Sequence, residues 1–458
     1  MEPQSVGKVI GEKESRQTRW GWKAAVAVAI ILVGGALALW NFYFRPPPIE
    51  PASKEKMAFP LPDKPSIAVL PFVNMTGNPK EDYFSDGLTE QIITSLSKSQ
   101  RLFVIARNST FVYKGKPVKI QKVAEDLGVR YVMEGSVQRS GDKVRITAQL
   151  IDALTGRHLW SERYDREMKD IFRLQDEITI QILKAMSIEL TEGGQVRHWL
   201  TVKGGTTKLE ALEKFYQASG LSHRGTKQGN DEARHLSEEA IALDPNFAWP
   251  YVTLGFTYFW DARFGWSESP SKSLQRAFEL AQKALAQDDS NDAAHSLLAS
   301  CYLLMRQYDK GIAEAERSVA INPNGAFAYM VLAGMVGCAG KWEESILYAK
   351  QSMRLSPVLG AEDYWILGQA YFMTGQYDES IATWKKALNA NPDYMFGHLY
   401  LAMCYASMGR DTDSSAEARE ILRINPKFNI ESYAKTLPYK DKEDVEREMA
   451  ALRKAGLK

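Results

Sequence analysis

The stretch AEDYWILGQAYFMTGQYDESIATWKKALNANP, residues Ala361 to Pro392, decides the fold of the larger part of this chain. It places small residues, Gly368 and Ala387, in two apolar segments that also carry the large side chains of Tyr371 and Trp384. Small residues let two helices approach closely, and aromatic rings fill the space between them. The stretch therefore predicts a pair of packed helices.

The pattern of this stretch recurs along the chain. Prolines end successive units at Pro323, Pro357, Pro392 and Pro426. Their separations of 34, 35 and 34 residues are typical of tetratricopeptide repeats. The stretch also resembles that family in the positions of Leu367, Gly368, Tyr371, Gly375, Tyr377, Ala387 and Pro392. We therefore expect an all-α solenoid of five to six helical hairpins over residues 206–435, and a carboxy-terminal capping helix over 436–458.

In tetratricopeptide repeats, fixed helix positions line a concave groove. The resemblance implies a candidate partner-binding groove lined by Phe327, Met330, Trp365, Gln369, Phe372, Phe396, Leu399 and Met403. These side chains are mainly apolar and aromatic, and they lack the basic clusters that clamp a peptide's carboxylate. Large exposed apolar patches usually mark interaction sites, so we expect a protein or peptide partner. A groove filled by the tight curl of the solenoid or by the protein's own chain is the alternative.

The region before the repeats mixes strand and helix patterns. Short apolar runs rich in β-branched residues predict strands at 66–72, 102–106, 130–138, 144–152 and 158–164. Helical spacing predicts helices from residue 85 or 86, over 120–127 and over 171–190. Turns are expected at Gly141 and Gly156. The order predicts an α+β sandwich over residues 65–192.

Acidic residues cluster where the first strand of this region leads into a helix. Glu81, Asp82, Asp86 and Glu90 would complement the positive end of the helix dipole, with Ser85 or Asp86 as the cap. A catalytic or metal site would need converging histidines or a second carboxylate cluster. We interpret these acids as capping and solvated residues, and binding of a metal or of a basic partner is the alternative.

Several separate motifs of this region resemble the TolB-like amino-terminal domain of bacterial tetratricopeptide-repeat proteins. They are IAVLPFVNMTGNPKEDYFSDGLTEQIITSL, LFVIARNSTFVYKGK, LGVRYVMEGSVQRSGDKVRITAQLIDALTGRHLWSERYDR and DIFRLQDEI. In many relatives that domain follows a class III adenylate or guanylate cyclase domain and a membrane helix. Only a short tail, residues 1–21, precedes the apolar segment here, so we expect no cyclase domain and no nucleotide cyclisation.

Residues 22–44, WKAAVAVAIILVGGALALWNFYF, predict one transmembrane helix. At about 1.5 Å per residue the segment reaches roughly 30 Å, and aromatic residues bracket it. Basic residues before it predict a cytoplasmic tail over 1–21 and place the rest of the chain on the other side of the membrane. A proline-rich linker over 45–64 follows the helix. The resemblance to bacterial proteins implies a bacterial inner membrane, with the bulk of the chain in the periplasm. A cleaved signal peptide is the alternative, because Ala36-Leu37-Ala38 resembles a cleavage site.

Composition and motifs argue against two classes of function, nucleic-acid binding and enzyme activity. The 458 residues carry a formal net charge of +1, which gives no electrostatic footprint for nucleic acid. The three cysteines are widely separated and are expected to be buried. No catalytic triad, phosphate loop or metal-binding histidine pair is present, so we expect no enzyme activity, cofactor or metal.

Three functions remain as hypotheses. The chain is expected to be a membrane-anchored interaction scaffold or sensor. The alternatives are a regulatory component of a separately encoded adenylate or guanylate cyclase, and an enzyme with its own hydrolytic site. The oligomeric state is left open.

Overall fold

The structure, a computed structural model, describes residues 25–29, 32, 49–186, 205–223 and 225–458. Its contacts divide the chain into two units, residues 1–49 and 50–458. The predicted tail and most of the predicted transmembrane helix lie outside the described residues, although 25–29 are helical. Among the residues that are described, no helix is both long enough and apolar enough to cross a membrane. The membrane span therefore stays a prediction.

Residues 66–167 of the second unit contain a mixed β-sheet. Its strands are β1 (Ser66–Val69), β2 (Val73–Asn74), β3 (Phe103–Val104), β4 (Tyr131–Ser140), β5 (Lys143–Asp152) and β6 (Arg157–Glu167). The order across the sheet is β3-β1-β4-β5-β6, and β2 also pairs with β4. The pairs of β1 with β3 and β4 are parallel, whereas β4, β5 and β6 form an antiparallel meander. Gly141 and Gly156 turn the meander with positive φ, as the sequence predicts.

Helices cover this sheet. They are α1 (Asp82–Ser97), α2 (Arg107–Phe111), α3 (Ile120–Leu127) and α4 (Ile171–Ala185). Apolar side chains of α1 and α4 pack with the strands in one core. The bounds of α3 coincide with the predicted helix.

The predicted cap of α1 at Ser85 or Asp86 is wrong, because the helix begins at Asp82. The Asn78 side chain accepts a hydrogen bond from the Lys80 N–H and caps a short 3-10 turn, Pro79–Glu81. That turn runs directly into α1. The capping signal therefore acts one turn earlier than the sequence pattern suggested.

Residues 209–424 form six antiparallel helical hairpins, which confirms a helical repeat array after an α+β region. The hairpins are α5 (Leu209–Ser222) with α6 (Lys227–Leu243), α7 (Ala248–Phe264) with α8 (Pro270–Gln287), α9 (Asp292–Leu304) with α10 (Tyr308–Ile321), α11 (Ala326–Cys338) with α12 (Trp342–Leu355), α13 (Trp365–Met373) with α14 (Tyr377–Ala390), and α15 (Met395–Ser407) with α16 (Asp411–Ile424). Two further helices follow, α17 (Ile430–Thr436) and α18 (Lys442–Lys454).

Close helix contacts require small residues where the sequence predicted them. A Cβ atom on Gly368 would lie 2.5 Å from the Trp384 Nε1, so this glycine lets α13 and α14 meet around the indole. Trp384 has no exposed surface and stacks on Tyr400 with ring centroids 4.7 Å apart. The three cysteines are free and buried, as expected.

Candidate functional site: the concave face of the repeats

The acidic cluster beside β1 is occupied by basic and amide side chains. Lys114 Nζ lies 3.1 Å from Asp82 Oδ2 and 2.7 Å from Asp86 Oδ2. Asn74 Nδ2 donates to Asp82 Oδ1 at 2.8 Å. Burial raises the pKa of Asp86, which Lys114 opposes. In the part of the chain that the structure describes, no three side chains of the types that bind metals come together as a metal site.

The eight predicted groove residues divide into two groups. Gln369, Phe372, Leu399 and Met403 are buried, and the last three have no exposed surface. Met330, Trp365 and Phe396 are half-buried, and Phe327 is 37% exposed.

The structure brings some of the groove residues together. Trp365 and Phe396 are in contact, with ring centroids 4.4 Å apart, and Arg263 from the end of α7 lies over the Trp365 ring at 5.4 Å. Phe327 instead meets Phe256 of α7 at 5.5 Å. The part of the predicted groove that α13 and α15 line is thus largely buried. The part beside α7 and α11, where Phe327 lies, remains accessible.

The carboxy-terminal segment, residues 430–458, closes the groove. Main-chain groups of its extended stretch Leu437–Lys440 make four hydrogen bonds to the repeats. Arg306 Nη2 donates to the Leu437 carbonyl at 2.9 Å and Nη1 to the Tyr439 carbonyl at 3.1 Å. The Tyr308 hydroxyl donates to the Pro438 carbonyl at 3.0 Å. The Lys440 N–H donates to the Cys338 carbonyl at 2.8 Å.

Arg306 occupies a position that glycine fills in other hairpins. Its φ is 57°, in the left-handed region, and it turns the chain between α9 and α10. The corresponding turns of the next three hairpins use Gly340, Gly375 and Gly409, all with positive φ. A side chain in this conformation costs roughly 1–2 kcal/mol. We infer that the two carbonyl contacts of the guanidinium offset that strain.

A buried carboxylate lies at the centre of the segment's contact with the repeats. Glu448 of α18 has no exposed surface. Tyr400 and Tyr433 donate to it at 2.7 and 3.0 Å, and Tyr439 donates as well. Gln369 Nε2 donates in turn to the hydroxyls of Tyr400 and Tyr439, at 2.7 and 2.6 Å. Burial raises the pKa of Glu448 to about 7, although the three tyrosine hydroxyls act in the opposite direction.

The α/β region contacts the last turn of α12 and the loop between α10 and α11. Arg354 Nη2 donates to the Gly128 carbonyl at 2.9 Å and to the Pro60 carbonyl at 3.1 Å, and its guanidinium lies over the Phe103 ring at 4.5 Å. Asn324 Nδ2 donates to the carbonyl of Ser97 at 2.9 Å. Burial lowers the pKa of Arg354 to about 10. Sequence reasoning missed these contacts, since they join residues more than 220 positions apart.

A second contact joins the α/β region to the first hairpin. A Cβ atom on Gly87 of α1 would lie 2.3 Å from the Tyr216 ring of α5, so only glycine permits this approach. Glu90 pairs with Arg107 at 3.2 Å and accepts from the Ser219 hydroxyl of α5 at 3.2 Å. Among the predicted acidic residues, Glu90 therefore has a role in joining the two regions.

Fold and site together define a two-part protein, an α/β region joined to helical repeats of tetratricopeptide type whose concave face holds the chain's own carboxy-terminal segment. Two family models match parts of it. Residues 63–181 match a model described as "HilA/YgeH-like transcriptional regulator, second domain". Residues 261–430 match a model described as "Intraflagellar transport protein 56". Each model spans less than half of the chain, and the TolB-like resemblance stays a prediction.

The chain is also similar to individual proteins. It is 44% identical over 250 residues to a protein of Rhizobium meliloti (strain 1021) named "Putative adenylate cyclase 3". The match covers 55% of this chain and 42% of that protein, so the chain spans less than half of this relative's length.

Among solved structures, the chain is similar to a thermophilic tetratricopeptide-repeat protein of Thermus thermophilus, with 17% identity and a TM-score of 0.34. That match covers 41% of this chain and 94% of the Thermus protein. The chain is also similar to PilF of Pseudomonas aeruginosa, with 13% identity and a TM-score of 0.38. That match covers 48% of this chain and 93% of PilF.

Proposed function

We propose that the chain is a protein-interaction scaffold whose helical repeats bind an extended peptide on their concave face. One observation carries the proposal: the repeats already hold such a peptide, Leu437–Lys440, by hydrogen bonds to its main chain. Main-chain contacts give affinity for an extended segment, and side-chain pockets give specificity. The carboxy-terminal segment therefore occupies the site that a partner would use.

The contacts suggest the chemistry of that partner. Arg306 and Tyr308 supply donors for three successive carbonyls, those of Leu437, Pro438 and Tyr439. The indole N–H of Trp342 donates to the Asp444 carboxylate at 2.8 Å. A competing ligand would carry a short extended apolar and aromatic stretch, followed by a helix with acidic residues.

Segment exchange tests the peptide-binding role. A protease recognition sequence inserted between Pro426 and Lys427, both exposed, allows the segment to be released from the folded full chain. A fluorescein-labelled synthetic peptide of residues 427–458 is then added, and its uptake is followed by fluorescence anisotropy. We expect the labelled peptide to replace the cleaved segment.

A matched pair of variants locates the binding. Arg306→Gln removes two charge-assisted hydrogen bonds, worth roughly 1.5–3 kcal/mol each, and should weaken peptide binding about tenfold or more. Arg317→Gln, an exposed arginine of α10, should leave binding unchanged. If cleavage unfolds the helices, or if no exchange occurs, the segment is a fixed part of the core and the proposal fails.

The proposed scaffold is anchored in a bacterial inner membrane by residues 22–44, with the TolB-like domain and the repeats in the periplasm. The apolar length of that segment and the basic residues before it support this arrangement. Alkaline phosphatase fused after Lys458 should be active. An inactive fusion, with an active cytoplasmic reporter at the same position, would reverse the orientation.

A second candidate function is regulation of a separately encoded adenylate or guanylate cyclase, which the Rhizobium relative favours through its name and its 44% identity. The test combines this chain with the part of that relative that lies outside the match, and measures cyclic AMP formed from ATP. We expect the chain to change the rate and to form no cyclic AMP alone. A rate that does not depend on the concentration of the chain contradicts this candidate.

A further inference from the structure

The two edges of the β-sheet differ in what covers them. At the β3 edge, the Val104 N–H donates to Asn324 Oδ1 at 3.3 Å and the Ala106 N–H donates to the Leu355 carbonyl at 2.8 Å. The repeats therefore cover that edge. At the other edge, β6 pairs with β5, and its residues are mostly exposed.

The alternation along β6 shows which main-chain groups face outward. The Met168 N–H donates to the Asp142 carbonyl at 2.8 Å, and this pair continues the ladder in which Tyr164 is opposite Ile146. In an antiparallel ladder every second residue bonds to the neighbouring strand. Even-numbered residues of β6 from Trp160 to Arg166 thus bond to β5.

The odd-numbered residues Ser161, Arg163, Asp165 and Glu167 direct their main-chain groups to the open edge. Across the described ranges, none of their N–H groups donates a hydrogen bond to another part of the chain. The Asp165 carbonyl accepts only from the exposed side chain of Arg166, at 3.1 Å. Among the described residues, this edge is therefore open to pairing with another strand.

Charged residues on an edge strand usually oppose such pairing. Here their signs alternate in a way that suits a second copy of the same strand. When two β6 strands run antiparallel about a two-fold axis at Tyr164, Arg163 lies opposite Asp165 of the second copy. On the other face, Glu162 lies opposite Arg166 of the second copy.

Only this register matches the charges on both faces. Sliding one strand by two residues in one direction places Arg163 opposite Arg163 of the second copy. Sliding it in the other direction places Asp165 opposite Asp165 of the second copy, so both shifts bring like charges together. A slide of one residue would bring the outward groups opposite inward ones. The same register also brings the unpaired N–H and carbonyl groups of residues 161, 163, 165 and 167 opposite each other.

We propose that two copies of the chain dimerise by antiparallel pairing of β6 about Tyr164, which joins their sheets into one. The repeats cover the β3 edge, and their first hairpin packs against α1 and α4. In the part of the chain that the structure describes, no repeat helix is hydrogen-bonded to the main chain of β6. Opposite charges directly across an antiparallel pair stabilise it, and like charges destabilise it.

Charge exchange tests the pairing in the full chain. Sedimentation equilibrium in a density-matched detergent solution should show a dimer. Arg163→Asp and Asp165→Arg should each raise the dimer dissociation constant at least about tenfold, because each places like charges opposite one another. The double variant Arg163→Asp/Asp165→Arg restores opposite charges and should restore the dimer. Arg157→Asp, on the same strand but outside the paired stretch, should have no effect.

Disulfide cross-linking tests the register. In the proposed dimer, residue 161 is opposite residue 167 of the second copy, whereas within one chain the two lie about 20 Å apart. The variant Ser161→Cys/Glu167→Cys should form disulfide-linked dimers on mild oxidation, and neither single variant should do so. The native cysteines are buried. A chain that is monomeric at every concentration, a dimer that is indifferent to Arg163→Asp, or linkage by a single variant would each overturn the proposal.

Discussion

Replacing Glu448 by glutamine should stabilise the protein more at pH 8 than at pH 4. The pKa of this buried carboxyl is raised from 4.5 to about 7 in the folded protein. The folded state therefore holds the proton more tightly than the unfolded state does. Wild-type stability should fall as the pH rises from about 4.5 to about 7, and this site should contribute no further change above that range.

The size of the effect follows from the pKa difference. A shift of about 2.5 units corresponds to about 3 kcal/mol, since one unit is worth about 1.4 kcal/mol. Glutamine carries no charge at either pH. It also changes the hydrogen bonds with Tyr400, Tyr433 and Tyr439, but that contribution does not depend on pH in this range.

Urea unfolding of the full chain, followed by tryptophan fluorescence at pH 4, 6 and 8, measures the effect. The free energy of unfolding of Glu448→Gln relative to wild type should rise by about 3 kcal/mol between pH 4 and pH 8. Glu446→Gln, on the same helix but with its side chain 64% exposed, is the matched control and should show a nearly constant difference. A constant difference for Glu448→Gln as well would refute the reasoning.

Three further substitutions test the packing, each by the free energy of unfolding. Arg354→Ala should cost about 2–4 kcal/mol because it removes the hydrogen bonds to the part-buried carbonyls of Leu127 and Gly128, whereas Arg423→Ala, which removes exposed ion pairs, should cost about 0–1 kcal/mol. Phe372→Ala should cost roughly 3–5 kcal/mol, and Phe327→Ala, at an exposed position, about 1 kcal/mol or less. Gly368→Ala should cost about 1–3 kcal/mol, because its methyl group would meet Trp384. A loss for Phe372→Ala as small as the loss for Phe327→Ala would show that Phe372 faces an open groove.

The repeat array could be predicted from the sequence because its signals are local. Small and aromatic residues recur with a fixed period, so the packing of Gly368 on Trp384 follows from the pattern. The helix over residues 120–127 and the turns at Gly141 and Gly156 also depend on nearby residues. Each of these features appears in the structure where it was expected.

The occupant of the groove could not be predicted in the same way. Family positions place Phe372 and Leu399 on the concave side, but they do not show that residues 430–458 return to cover it. One local signal was available. Glycine at 340, 375 and 409 predicts glycine at 306, and the arginine found there indicates a side chain kept for a contact rather than for the turn.

The contact between Val104 and Asn324 has a consequence for synthesis of the chain on the ribosome. The two residues lie 220 positions apart, and the second is needed to cover the β3 edge of a sheet whose strands are complete much earlier. At about 5–20 residues per second, the nascent sheet waits roughly 11 to 44 seconds with that edge uncovered. During translation, the β3 edge is thus a transient site for chaperone binding or for misassembly between neighbouring nascent chains.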